Sequence, residues 1–560
     1  VAVAVAAVVG AVVPVSADVA VDLSLPGTHF NPGVRGQAVP AVNITRPSTW
    51  VGNPMAMDVS RGSSIRGVYG GLEADISDWR TRNYDARMTT LDYLRYSRDY
   101  SADLVITTNV RGLTAPDPSP TAAPGSRVFT DTSIATVTKM AAEWVRYTNR
   151  IAQSYHQGDV ITDAKDKAVL DSLVWTSNVA PGDVHDLLPA VGERPVPKVT
   201  YWEIGNEPRV GLSNSYKVTN SYTFYPPARR SQTDPATHLF DYTERYTSMV
   251  TAMKAEDATI KVGPCLQTAT AVTEKEILQN VLAAKTPSGA FVPVDFIGYH
   301  PYQKMGDETT PAAVTAFLGG IYDAQKVYTD RFRSLVTASG RSANSVELIA
   351  SEVNVSNWPY NETPTEAQMA HALGSAETVF TFARLGVSAA HYWVFPSNQF
   401  DGTEYPVYKA YEGLRDHMGD ELLSSVAQGD ARIYTTRDSA TGQVAIWGLN
   451  FSNDADAAVQ LDLSGFIPEG YTAKLMTLGA RSGRTTLYSG NLAGGMAGGP
   501  TNDVDWTTAD LAGVDVSDYL MAVPAATIRV LVLDGVTVPE PGVVGVVWMG
   551  VGVMGGRRRR

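Results

Sequence analysis

The chain has 560 residues, 44% of them apolar and 18% charged; that is too long for one hydrophobic core and too apolar for a disordered chain, so two or three folded units are expected. Forty-five basic against 58 acidic residues give a formal charge of −13, which repels phosphate backbones and anionic headgroups and argues against a nucleic-acid partner. A single cysteine, Cys265, excludes an intrachain disulfide.

The first stretch, 1–13, is small and apolar; Pro14 and Val15-Ser16-Ala17 follow it before Asp18. This order resembles the apolar region and small-residue cleavage site of a secretory signal, so 1–17 is read as a signal segment of an exported protein. From 18 to 414, apolar runs of strand length alternate with helical patterns, the signature of βαβ units and a parallel sheet. Eight strands are expected at 38–44, 64–68, 103–109, 199–204, 260–263, 296–299, 346–351 and 388–394. They predict an α/β fold, a (β/α)8 TIM barrel with an N-terminal extension.

One helix is expected over 134–151, where Ile134, Val137, Ala141, Trp144, Val145 and Thr148 recur on one face. The Pro-, Ala- and Ser-rich stretch 115–126, and 214–234 farther on, read as long loops on the C-terminal side of the barrel strands, where substrate clefts are shaped. After Leu414 the pattern changes to strands at 431–436, 443–451, 457–463, 471–478 and 527–533, with 438–442 as a hairpin loop. Residues 415–536 are therefore read as a C-terminal β-sandwich domain, in which the Gly-rich 494–499 is a loop.

The segment 537–560 has a three-part order: Pro539-Glu540-Pro541, an apolar run from Gly542 to Gly556, and four arginines from Arg557 to Arg560. The run is short of the roughly 20 residues of a stable spanning helix. It resembles the PEP-CTERM sorting signals of bacterial exported proteins. That resemblance implies transient membrane association through the tail, a sorting protease, and an extracellular or cell-surface destination.

Two strands end in glutamate. Tyr201-Trp202-Glu203-Ile204 runs into Gly205-Asn206-Glu207-Pro208, and Glu347-Leu348-Ile349-Ala350-Ser351 runs into Glu352. A carboxyl group at the C-terminal mouth of a barrel strand is where this architecture places catalysts, and enough chain separates the two for three further βα units. Facing carboxyls meet the needs of glycosidic bond cleavage: one donates a proton while the other attacks or activates water. A separation of about 5–5.5 Å retains configuration and one of roughly 6.5–9.5 Å inverts it, and the charge on one carboxylate raises the pKa of the other. Glu203 shares strand parity with Glu207 and is read as a buried, structurally paired acid. Cys265 is read as a small buried apolar residue.

The run from Trp202 to Pro208 resembles the strand-four signature of the clan A glycoside hydrolases, particularly those related to families 39 and 51. The resemblance implies a retaining enzyme with Glu207 as acid/base and Glu352 as nucleophile. It further implies that Asn206 binds the sugar 2-hydroxyl, that His300 and Tyr302 in Tyr299-His300-Pro301-Tyr302 belong to the site, and that Tyr302 touches the nucleophile. Arg66 resembles a strand-two arginine of the site, although Val68-Tyr69 departs from the family's Pro-Gly-Gly pattern. Trp393 falls where these enzymes carry a strand-eight sugar platform. Val353, where many relatives have Trp, is a second departure.

The implied partner is a carbohydrate, and the ten Trp, 26 Tyr and 14 Phe supply flat faces on which sugars stack. No cofactor and no metal are implied: the eight His are scattered singly, and His-Glu-x-x-His, Gly-x-Ser-x-Gly and Gly-Lys-Ser/Thr motifs are absent. Two alternatives stay open at this point, an inverting enzyme with the same carboxyls and a surface carbohydrate-binding protein without activity.

Overall fold

The computed structural model describes residues 79–80, 89–99, 103–116, 118–121, 127–173, 187–208, 241–303, 305, 308–355, 368–392, 405–463, 470–488, 503–516 and 518–535, together with the short strands at 19–20, 28–29, 36–40, 64–68, 224–225 and 240–241. The expected signal segment 1–17, the expected loop 214–234 apart from the strand at 224–225, Trp393, the expected loop 494–499 and the expected sorting tail 537–560 lie outside the described residues, as does the side chain of Arg66.

Eight parallel strands close a barrel in chain order: β1 Gly36–Pro40, β2 Ser64–Val68, β3 Asp103–Thr108, β4 Tyr201–Ile204, β5 Lys261–Leu266, β6 Phe296–Tyr299, β7 Glu347–Val353 and β8 Ala389–Tyr392. Each falls on one of the eight expected runs. Strands β3 to β8 are short, largely apolar stretches because both faces are covered, by the barrel interior and by the helices outside. On β4 the alternation is explicit. Trp202 points outward and packs edge-on against Trp144 at 5.7 Å, while Glu203 points inward to accept from Thr107 of β3.

The expected helix begins at Ile134, where Ser133 caps the amide of Thr136, and runs as α-helix to Arg146 with Val137, Met140, Ala141, Trp144 and Val145 buried. It then widens into a π-turn, Tyr147–Ile151. The widened turn carries Asn149, whose amide donates to Val199 O at 2.9 Å and whose carbonyl accepts the Val199 amide at 2.8 Å. Those paired bonds imitate a strand neighbour and fix the chain just before β4.

The 115–126 stretch is only partly loop. Leu113–Pro116 pairs antiparallel with Arg127–Asp131, so a hairpin rises after β3.

The second unit packs two sheets. The larger runs in the order Thr28–His29, β9 Glu421–Gln428, β10 Ala431–Arg437, β11 Val444–Asn450, β16 Ile528–Asp534, β13 Thr472–Ala480 and β14 Val504–Asp510; the smaller is Val19–Ala20, β12 Ala457–Asp462 and β15 Asp518–Val523. The N-terminal extension, expected to go with the barrel, thus contributes two short strands to the sandwich instead: Thr28–His29 lies against β9 and Val19–Ala20 against β12. The sandwich is built from both ends of the described chain.

The joint between the units is apolar. Helix Met369–Leu385, which follows β7, is buried from Met369 through Ala383. Phe380 stacks on Tyr434 of β10 at 4.2 Å and meets Trp447 of β11 edge-on. A second contact needs a glycine: a Cβ on Gly413, in helix Pro406–His417, would stand 2.4 Å from the Trp506 ring. The barrel and the inner face of the large sheet therefore share one continuous hydrophobic core.

Candidate active site

The site stands at the C-terminal ends of β4 to β7. Beyond Ile204, Gly205 turns with φ +76°, and a side chain there would strike Val110 at 2.3 Å. Glu207 itself has φ +41°, in the left-handed region that costs a non-glycine residue roughly 1–2 kcal/mol. Strain of this kind is held only where the surroundings fix it. Here Tyr242 donates to Ile204 O at 2.5 Å, and the buried Arg111 guanidinium lies 3.4 Å from Glu207 O. Asn-Glu-Pro is thus a constrained turn that lifts one carboxylate over the barrel mouth.

Glu352 arrives by a different device. Strict alternation would send Ser351 and Glu352 to opposite faces, yet the β7–β8 register shifts between Ala350 and Val353. Such irregularities re-aim side chains. Both residues then reach the site: Ser351 Oγ lies 3.7 Å from Cys265 Sγ, and Glu352 Oε2 lies 3.5 Å from His300 Nδ1.

Between the carboxylates sits His300, whose side chain is 1% exposed. Its Nδ1 is 2.6 Å from Glu207 Oε1, and its Nε2 is 3.2 Å from Cys265 Sγ. Burial by itself would lower the imidazole pKa. The charge of Glu352 and the contacts with Cys265 and Glu207 outweigh it and hold the pKa well above the ordinary 6.5.

Tyr302 donates to Glu352 Oε2 at 2.7 Å. It is aimed by backbone pairing of the two loops, with Gln303 N donating to Asn354 O and Met305 N to Val355 O. Gln267, at the end of β5, donates to Glu207 Oε2 at 3.3 Å. Its own amide is held by Glu274, which also binds the amide of Ala269 at 2.7 Å.

Glu207, His300 and Glu352 each offer an atom within 4.8 Å of the others, the one such group of potential metal ligands among the described residues. Ligands of one tetrahedral zinc stand roughly 3.3 Å apart. The 2.6 Å between Nδ1 and Oε1 is instead the span of a hydrogen bond. The chemistry of the cluster is proton sharing beside a second carboxylate.

Below this layer lies a polar floor inside the barrel. Glu203 accepts from Thr107 at 2.8 Å, as its parity implied. Gly298 of β6 leaves room for it, since a Cβ there would lie 2.3 Å from Glu203 Oε1 and 3.1 Å from Ser351 Oγ. Cys265, read from sequence as an apolar filler, is buried but engaged with His300, Asn206 and Ser351.

The structure therefore brings together Glu207, Glu352, Asn206, His300 and Tyr302. It adds Gln267, Arg111 and Cys265, which sequence reading did not assign to the site. Gln267 and Arg111 share a recognisable position, within three residues past the ends of strands β5 and β3.

No protein-family model matches the chain, and no curated protein matches it. Solved structures do. A family 51 α-L-arabinofuranosidase from Bifidobacterium longum superposes with a TM-score of 0.58 at 13% identity, over 94% of this chain and 100% of that one. A bifunctional glucanase-xylanase from a metagenome library gives 0.55 at 16% identity, over 92% and 98%. A family 44 xyloglucanase from Paenibacillus polymyxa gives 0.54 at 14% identity, over 92% and 99%. At these identities the likeness is one of fold, and it spans barrel and sandwich together.

Proposed function

We propose that the chain is a retaining glycoside hydrolase in which Glu207 is the general acid/base and Glu352 the nucleophile. One observation carries the reading: the mouth ends of β4 and β7 bring an oxygen of each carboxylate to within 4.8 Å of the other. Nearest oxygens that close are in keeping with the about 5–5.5 Å between carboxyl groups that direct attack on an anomeric carbon needs.

In the first step Glu352 attacks the anomeric carbon while Glu207 passes its proton to the departing glycosidic oxygen, leaving a glycosyl ester on Glu352. In the second, Glu207 takes a proton from water, which cleaves the ester and restores both groups. The Tyr302 hydroxyl orients Glu352 through its 2.7 Å bond to Oε2. Asn206, with the Arg66 and Trp393 positions, completes the sugar-binding set on the strength of the sequence resemblance.

The substrate is an extracellular polysaccharide or oligosaccharide. The chain's −13 charge suits a neutral polymer, and the similar structures are those of enzymes described as arabinofuranosidase, glucanase-xylanase and xyloglucanase. The leader-like 1–17 and the Pro-Glu-Pro, apolar and arginine order of 539–560 support export, transient membrane association and removal of the tail by a sorting protease. Intact-mass measurement of the protein recovered from its host checks that removal.

The activity is tested by incubating the protein with aryl furanosides and pyranosides and with a panel of plant and microbial polysaccharides, alongside Glu352→Gln. Release of sugar by the native chain and its loss in the variant are expected. No release from any substrate, or equal release by both, would refute the reading.

A further inference from the structure

His300 Nδ1 and Glu207 Oε1 stand 2.6 Å apart and can hold one proton between them. While that proton is present, the ring, whose pKa is held high, also carries a hydrogen on Nε2, whether the shared proton sits on Nδ1 or on Oε1. Once it is lost the neutral ring has a single N–H, and a hydrogen on Nδ1 donates to an ionised Glu207. The group on the far side of the ring selects between these states.

That group is Cys265 Sγ, 3.2 Å from Nε2. A thiol both donates and accepts, so its own proton decides its part. The S–H is directed at the carbonyl oxygen of Asn206, 3.5 Å away, an atom that only accepts. With the thiol hydrogen committed there, the sulfur lone pairs face Nε2. All three residues are buried, which keeps water from replacing any member.

We propose that Cys265 is a positioning residue for the acid/base: its sulfur accepts the Nε2–H of His300, so that Nδ1 and Glu207 hold the acid proton between them. This rests on the acid/base reading of Glu207 given above. No proton is gained or lost in the arrangement; the one delivered to the leaving group is the one between Nδ1 and Oε1. Among the described residues the other ionisable groups around the pair are Glu352 on β7, Tyr302 after β6, Glu203 on β4 and Arg111 after β3. Among the described residues only Cys265 is hydrogen-bonded to Nε2.

The experiment compares the native chain with Cys265→Ala, Cys265→Val, which keeps the volume if Ala fails to fold, and Cys265→Ser, which restores an acceptor. Without an acceptor the Nδ1–H tautomer is released, ionised Glu207 gains a donor, and the acid proton is lost at lower pH. The alkaline limb of kcat/KM should move down by about half a pH unit to one, the size expected from one hydrogen bond. Ser should recover most of that shift.

Nitrogen-15 spectra of ring-labelled histidine, with His300 identified through His300→Asn, read the tautomer without any substrate. Nε2–H is expected in the native chain and in Cys265→Ser, and its loss in Ala or Val. An inactive native chain whose spectra show this pattern would defeat the hydrolase reading while leaving the tautomer assignment standing. An unmoved alkaline limb, a fall in rate equal at every pH, or an unchanged tautomer in Ala and Val would overturn the inference.

Discussion

Glu377 lies on the helix that carries the barrel against the sandwich, fully buried, with both its oxygens 2.8 Å from the Tyr434 hydroxyl. Burial pushes its carboxyl from 4.5 up to about 7, against the opposing influence of Tyr434, Arg432 and Arg384. The sign follows from proton counting. Between these two values the folded protein holds the proton and the unfolded chain has lost it, so the unfolded state binds fewer protons and stability falls as pH rises through the window. The interval, from 4.5 to about 7, corresponds to roughly 3–4 kcal/mol, at about 1.4 kcal/mol for each pH unit.

Glu377→Gln cannot ionise. Its Oε1 still accepts from Tyr434, while its amide hydrogens add a cost of about 1–3 kcal/mol if they find no acceptor. The variant should therefore be the less stable protein near pH 5 and should gain steadily on the native chain up to about pH 7. Above that the difference levels off. Guanidinium midpoints of both proteins from pH 4.5 to 8.5 measure this, and taking the difference cancels every other titrating group. A difference that stays flat across the range would refute the reasoning.

Gly298→Ala should destabilise the barrel by about 1–3 kcal/mol, because the new methyl must displace the Glu203 carboxylate from 2.3 Å; denaturant midpoints check it, and an unchanged midpoint would mean that the floor of the barrel yields freely. At position 207 two variants that both lack the carboxylate separate strain from chemistry. Glycine relieves the φ of +41° and alanine does not, so Glu207→Gly should melt as the more stable of the two by about 1 kcal/mol. Equal melting would show that the turn relaxes once the carboxylate is gone.

The parts of the fold that were legible in the sequence are those where burial is two-sided or motif-dense. Barrel strands β3 to β8 announce themselves as apolar runs because both their faces are covered, and the Glu207 segment is a strand that stops at Gly-Asn-Glu-Pro. Three sandwich strands escaped reading: β9, mostly half-buried, β14, which shows solvent on most of its length, and β15, whose burial alternates while its sequence Asp-Tyr-Leu-Met-Ala-Val does not. Val19–Ala20 and Thr28–His29 escaped for another reason. Their partners lie some four hundred residues away, and a two-residue strand carries no periodicity from which pairing can be inferred.

In the site the same division holds. Carboxylates at strand ends are visible as residue types in place. The thiol behind His300 is not, because Cys265 and His300 meet only when β5 and β6 pair, with Cys265 opposite Gly298, and a lone buried cysteine looks like packing until its neighbours are known. The bulge that turns Glu352 toward the mouth is likewise a property of the β7–β8 pairing and not of the β7 sequence.

The division of labour between Glu207 and Glu352 is tested most directly by azide rescue of Glu207→Ala and Glu352→Gly on an aryl glycoside with a good leaving group. Glu207→Ala should still form the glycosyl ester, since such a substrate departs with little protonation, and azide should then open that ester to give a glycosyl azide of retained configuration. In Glu352→Gly azide takes the place of the missing nucleophile on the free substrate, and the product should have inverted configuration. Proton spectra of the two azides read the anomeric configuration. Opposite configurations are the expected result; azides of the same configuration, or near-native turnover by Glu352→Gly without azide, would contradict the account.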